Sequence, residues 1–124
     1  MIPLETYKVL HILGVLLGFA TLGGLALTVA NGATKSTSSV RRLIAIAHGV
    51  ATFIILVGGF GALARLGVSH GSLPGWILVK LACWMVLAVL VALPYRRPEL
   101  ARAVFWFLPV LGGIAIVMAV YKPF

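Results

Sequence analysis

Residues 43–66 read LIAIAHGVATFIILVGGFGALARL, with the pair Arg41-Arg42 just before and Arg65 at the far end. His48 is the only ionisable residue between them. A helix crossing the hydrocarbon of a bilayer needs about 20 mostly apolar residues, and this run supplies them. In lipid the backbone has no water to bond, so such a run must satisfy itself as a helix. It ends in Gly67-Val68-Ser69-His70-Gly71-Ser72, a glycine-rich turn. Three further runs flank it. Val9–Ala30 precedes a Gly/Thr/Ser-rich break, Asn31–Ser39; Trp76–Leu93 opens after Pro74 and stops at Pro94; Ala103–Tyr121 stops at Lys122-Pro123. The connections are short, which makes successive helices antiparallel neighbours. The expectation is an all-α chain, an integral membrane four-helix up-down-up-down bundle, with residues 1–124 as one transmembrane domain and no internal repeat. Composition agrees: 62% of the 124 residues are hydrophobic and 10% are charged, against about 45–50% apolar in a soluble domain.

Ten Lys or Arg face two acidic residues, Glu5 and Glu99, and there is no Asp. The cations are scattered between apolar runs and form no basic stripe, so they read as topology signals and not as a nucleic-acid surface. Lys35, Arg41, Arg42, Arg96, Arg97 and Arg102 lie in the first and third connections; Lys8, Arg65, Lys80 and Lys122 lie toward the opposite side. The positive-inside rule makes the first group cytoplasmic. Both termini are then expected on the outer, periplasmic side of a bacterial inner membrane. Val29-Ala30-Asn31-Gly32-Ala33 offers small residues for signal cleavage. The apolar stretch before it is nevertheless longer than the usual run of about 7–15 residues.

Ionisable groups inside a membrane helix are costly and mark function or a paired interior site. His11, His48, Arg65 and Lys80 are the four in question. Two histidines clamping one haem iron as axial ligands must stand on opposite sides of it, about 4 Å apart. At about 1.5 Å per residue, His11 and His48, the two candidate metal ligands, differ by roughly 15 Å in depth. His11 and Lys80 are better matched in depth, and either can face Arg65 and Lys8. Such a basic pocket, with only Glu5 nearby, suits an anionic ligand such as haem propionates or a lipid phosphate. Each residue also has a plainer role. Lys8 and Lys80 lie near enough to the interface to snorkel, and Arg65 is placed as an interfacial anchor. His11 and His48 can bond a neighbouring helix, and His48 has Thr52 one turn away. Gly14 and Gly18, Gly58, Gly59 and Gly61, and Gly112-Gly113 allow close helix approach or leave space for a flat ligand. The tryptophans and tyrosines fit an aromatic belt except Trp84, which lies deeper.

Absences narrow the chemistry. Cys83 is the only cysteine, so neither an internal disulfide nor a thiolate cluster forms. Two glutamates and no aspartate exclude carboxylate-pair hydrolysis and a Ser-His-Asp triad within one chain. There is no HExxH, phosphate-binding loop or dinucleotide fingerprint. Any enzymatic activity would rest on a bound cofactor.

Tyr7-Lys8-Val9-Leu10-His11 resembles the Lys-x-x-His opening of SirB-type membrane proteins. Arg42 ahead of His48, Thr52 and Gly58 is similar to their second helix, and Pro74-Gly75-Trp76 with Lys80-Leu81 to the start of their third. The ending Ala119-Val120-Tyr121-Lys122-Pro123 resembles their tail. The pattern is also similar, more distantly, to HemJ and to CopD-type membrane domains. In HemJ, a protoporphyrinogen oxidase, a histidine on the first helix and a lysine on a later one are associated with haem b. His11 and Lys80 hold the matching positions. The chain lacks the long Trp- and Arg-bearing segment that follows that histidine in HemJ, and has Ala51 where SirB-type proteins tend to carry Asp. The resemblance therefore reaches haem binding more readily than porphyrinogen oxidation. It implies a small haem-b-binding membrane protein, His11 an axial ligand and Lys80 a second ligand or propionate partner, serving electron transfer or redox support. The alternative expectation is a cofactor-free accessory subunit within a homo-oligomer or larger membrane complex. A small-molecule or metal-ion carrier is the weakest reading, because a cation path lined by Lys8, Arg65 and Lys80 repels its cargo.

Overall fold

The computed structural model describes residues 2–68 and 73–124; His70 lies outside the described residues. These residues are all-α. Helix α1 spans Leu4–Ala30, α2 Arg41–Arg65 and α3 Gly75–Leu90; a single turn α4, Leu93–Arg96, and a 3-10 turn, Pro98–Leu100, lead into α5, Ala101–Tyr121. Three helical segments are long and apolar enough to cross a membrane: Leu4–Ala30, Arg41–Arg65 and Pro98–Tyr121.

The helix ends follow from local chemistry. Pro3 and Pro74, both extended, precede α1 and α3. After Ala30 the chain turns through Gly32 at φ +102°. There Gly32 N–H bonds Val29 O at 2.9 Å and Ala33 N–H bonds Thr28 O at 3.0 Å. Gly67, at φ +77°, repeats this stop after α2, with Val68 N–H on Leu63 O at 3.0 Å. Both are Schellman stops, and their left-handed residue is glycine because a Cβ is disfavoured there.

The boundaries correct the sequence reading in three places. The first helix starts at Leu4, not Val9, so Glu5, Tyr7 and Lys8 belong to it. Arg41, Arg42 and Arg102 lie in the first turns of α2 and α5, not in loops. The third apolar run does not continue as one helix to Leu93. Pro94 has no N–H and its ring clashes with the carbonyl four residues back, which is that of Leu90, where α3 ends. At 16 residues, α3 is about 24 Å long, short of the roughly 30 Å hydrocarbon core.

The helices pack as antiparallel neighbours. Gly14 meets Ala51 and Ile55, and Gly58 meets His11 and Tyr7, which fixes α1 against α2. Phe19 beside Gly112 and Gly23 beside Leu108 pair α1 with α5. His48 Nε2 donates to Ala88 O at 3.1 Å, and Trp84 Nε1 donates to Thr52 O at 2.9 Å, tying α2 to α3. The deep position of Trp84 is thereby explained: its N–H has an interhelical partner.

Buried residues recur at three- and four-residue steps: Leu22, Leu25, Val29 on α1, Ile44, His48, Ala51, Ile55 on α2, and Ala101, Val104, Leu108, Leu111 on α5. This is the seam expected of packed helices. It is uneven along the bundle. On α3 only Ile77, Leu87 and Leu90 are buried, and on α5 nothing beyond Leu111. The half near the connections is filled, and the half near the termini opens. The exterior is apolar: Val9, Leu16, Phe53, Val89, Trp106 and Val120 are all more than 60% exposed. An apolar surface of this extent suits contact with lipid tails.

The α1–α2 approach depends on Gly58, where a Cβ would stand 2.7 Å from the His11 backbone nitrogen and 2.9 Å from Tyr7 O. Gly58→Leu is expected to lower stability by about 1–3 kcal/mol, the usual cost of forcing volume into packed helices. Gly49→Ala, with nothing within 4 Å, is expected to be neutral. Thermal unfolding of both variants in detergent checks this, and equal melting temperatures would contradict it.

Candidate functional site: a lysine-ringed cavity beside His11

The open half holds a cavity of about 310 Å³ between α1, α2, α3 and α5. Lys8, His11 and Ile12 line it from α1; these share a face because residues three and four apart on a helix are neighbours. Trp76, Lys80 and Trp84 line it from α3 at the same spacing, and Ile55, Gly59, Phe60 and Leu63 from α2; Ala119 and Lys122 close it at the end of α5. The wall is mostly aliphatic and aromatic. Among the described residues its charged members are three lysines, and no carboxylate lines it.

His11 is seated by two features of α2. Gly59 has no side chain where a Cβ would lie 3.2 Å from Nδ1 and 3.3 Å from Cε1. One turn back, Ile55 O accepts a hydrogen bond from Nδ1 at 2.8 Å. A carbonyl only accepts, so Nδ1 carries the proton, and the neutral ring keeps its lone pair on Nε2. Metal-ligating histidines are commonly oriented in this way, by a backbone carbonyl on the other nitrogen.

Lys80 Nζ lies 5.9 Å, and Lys122 Nζ 5.3 Å, from the centre of the Trp76 ring. Lys122 gets there because it adopts a left-handed conformation, φ 48°, at the end of α5. The chain then doubles back, and Trp76 N–H bonds Phe124 O at 3.0 Å. Each ammonium on an indole is worth about 0.5–2 kcal/mol.

Of the residues singled out in the sequence, His11, Lys80 and Lys8 come together on this cavity. Arg65, exposed as the last residue of α2, is not among those lining it. His48 is elsewhere. It is 5% exposed, in the filled half, bonded to a facing carbonyl, with Nδ1 unpartnered among the described residues. With Gly58 set against His11, His48 lies ten residues earlier on α2, about 15 Å away at 1.5 Å per residue. The two histidines do not share a site. Thr52 donates to the backbone carbonyl of His48 at 3.1 Å and leaves its ring alone. Among the described residues there is no cluster of three metal-binding side chains. Lys122 and Trp76 are site residues that the sequence reading does not single out; their common signal is position at the same end of the chain's helices.

The donor set can be tested against haem b. One imidazole of fixed tautomer and three lysines match an axial ligand and two propionates in kind. Size is the obstacle. A cavity of about 150 Å³ takes one benzene, so 310 Å³ takes about two such rings, not a whole porphyrin. The cavity is partly open, so a macrocycle could place no more than its edge there, with the rest outside.

Compared with known proteins, the chain matches no family model, no curated protein and no solved structure.

The seating of His11 gives a direct expectation. Nitrogen NMR of the labelled ring should show Nδ1 protonated and Nε2 bearing the lone pair. Gly59→Val should push the ring from Ile55 O and destroy that preference. A wild-type ring protonated on Nε2 alone would refute the assignment.

Proposed function

We propose that this chain is an integral membrane four-helix up-down-up-down bundle that binds an amphipathic anion in the cavity beside His11. The carrying observation is the lining itself: apolar and aromatic walls, three lysines and, among the described residues, no carboxylate. In a low-dielectric surrounding, unneutralised ammonium groups favour an anionic head, and the indoles and aliphatic wall favour a flat apolar body. Haem b is the member of this class that His11 selects. His11 Nε2 would hold the iron, and Lys8, Lys80 and Lys122 the propionates, with much of the macrocycle reaching toward lipid. When bound, haem supplies one-electron chemistry; the chain's own part is to bind, orient and exclude water. A haem-dependent oxidoreductase is the only enzyme this reading admits. The charge pattern supports a bacterial inner membrane with both termini on the outer side.

The limited volume supports a second reading, a cofactor-free accessory subunit in a homo-oligomer or larger membrane complex. In that case the cavity accommodates lipid chains and the lysines anchor headgroups.

Oxidised and reduced visible spectra separate the two, recorded on protein purified from haem-supplemented cells. A stoichiometric b-type spectrum is expected, abolished in His11→Ala and shifted or weakened in Lys80→Ala. A colourless wild type would overturn haem binding, and His11→Ala would then be expected to alter assembly alone.

A further inference from the structure

The opposite end of the bundle carries a second hollow, about 330 Å³, where the last turn of α1 passes the first turns of α5. Leu27 on α1 and Asn31 just past its end line it on one side, and Arg102, Phe105 and Trp106 from α5 on the other. Arg102 is exposed, and its guanidinium has no hydrogen-bond or ion-pair partner among the described residues; neither has the Asn31 side-chain amide. Below them the wall turns apolar. Leu27 is 54% and Trp106 71% exposed, and the Trp106 ring is held edge-on to Phe105 with centroids 5.3 Å apart. An unpaired planar cation and a neutral amide therefore stand at the rim, and one helical turn further in lie the exposed indole of Trp106 on α5 and the exposed Leu27 on α1.

We infer that this hollow is a binding site for one anionic phospholipid, its phosphate on Arg102 and Asn31 and its glycerol and acyl chains along Leu27 and Trp106. The inference rests on the chain being embedded in a membrane, and is independent of any ligand beside His11. Charge complementarity selects the occupant. Lys35, Arg41, Arg42, Arg96 and Arg97 lie at the same end, and the one carboxylate there, Glu99, is taken by Arg97 Nε at 2.6 Å. A zwitterionic lipid would leave that excess unanswered. A free phosphate would use the cation and ignore the indole and aliphatic wall. Arginine also matches the phosphate with two parallel N–H donors, which a lysine at this place would not. Basic pockets between membrane helices recognise phosphate-bearing headgroups on the same principle.

Alkaline carbonate washing of membranes tests the embedding first; release of the chain would sink both that reading and this one. The full chain is then purified in detergent and exchanged into equal phosphatidylglycerol and phosphatidylcholine, and retained lipids are counted by native mass spectrometry. Phosphatidylglycerol should be retained preferentially, and an excess of inorganic phosphate should not displace it. Arg102→Gln should weaken retention about tenfold, the loss of one charge-assisted contact. Asn31→Ala should weaken it by a smaller factor, and Arg96→Gln, outside the hollow, should leave it nearly unchanged. Equal losses in Arg102→Gln and Arg96→Gln would replace the site with diffuse surface attraction. Equal retention of the two lipids, or displacement by phosphate, would also overturn the proposal.

Discussion

The contact between α1 and α2 at Gly58 governs what the rest of the chain can do. Two helices in lipid gain nothing from hiding apolar surface, because the tails are as apolar as leucine; they associate through close packing and polar contacts. Here a hydrogen is all that separates the α2 backbone from the His11 nitrogen and the Tyr7 carbonyl. The close approach brings Gly59 under the imidazole and Ile55 O within reach of Nδ1. It also sets the register that carries His48 into the other half of the bundle. One glycine thus decides which histidine meets the cavity and in which tautomer.

Packing elsewhere divides the bundle into a filled half and an open one. Leu22, Leu25, Leu87, Leu90, Val104 and Leu108 close the space near the connections. The interhelical bonds of His48 and Trp84 lie between α2 and the far part of α3. Pro94 stops α3 at Leu90, while the early part of that helix keeps only Ile77 buried. The cavity is the result, with Trp76, Lys80 and Trp84 along its α3 wall. The Trp76–Phe124 bond ties the turned-back tail to the start of α3. Open space at one end is consequently built on tight space at the other.

Much of this was written in residue spacing. The four apolar runs correspond to four helices longer than one turn, and rise per residue matched His11 with Lys80 in depth and parted His11 from His48. Other features required more than hydropathy. Leu4–Tyr7 includes Glu5, so an apolar window misses a first turn that Pro3 in fact starts. The end of the third run misleads for a different reason. Val91, Ala92 and Leu93 are all apolar, yet Pro94 acts through a carbonyl four residues earlier. Arg65 shares the level of the cavity but sits at the end of α2 outside its lining, and that azimuth is not contained in depth arithmetic. Lys122 was hidden most completely, because its place over Trp76 depends on one left-handed residue and the reversal that follows.

The same excess of positive charge behaves differently at the two ends. Near the connections the arginines are exposed, and water and salt screen them; the Arg97–Glu99 pair, with both side chains about 60% exposed, adds little to stability. Around the cavity, screening falls away and like charges are gathered. Lys80 and Lys122 both attend the one Trp76 ring, Lys8 lines the same space, and among the described residues no Asp or Glu side chain lines it with them. The indole offsets part of that repulsion, but a ring quadrupole is a weak counterion. Lysines gathered this way repel one another in the free chain, and on the proposed reading an anion would relieve that repulsion. His11 would then add a directed lone pair to a site whose charge alone would accept many anions, so charge would set the class of ligand and the imidazole would narrow it.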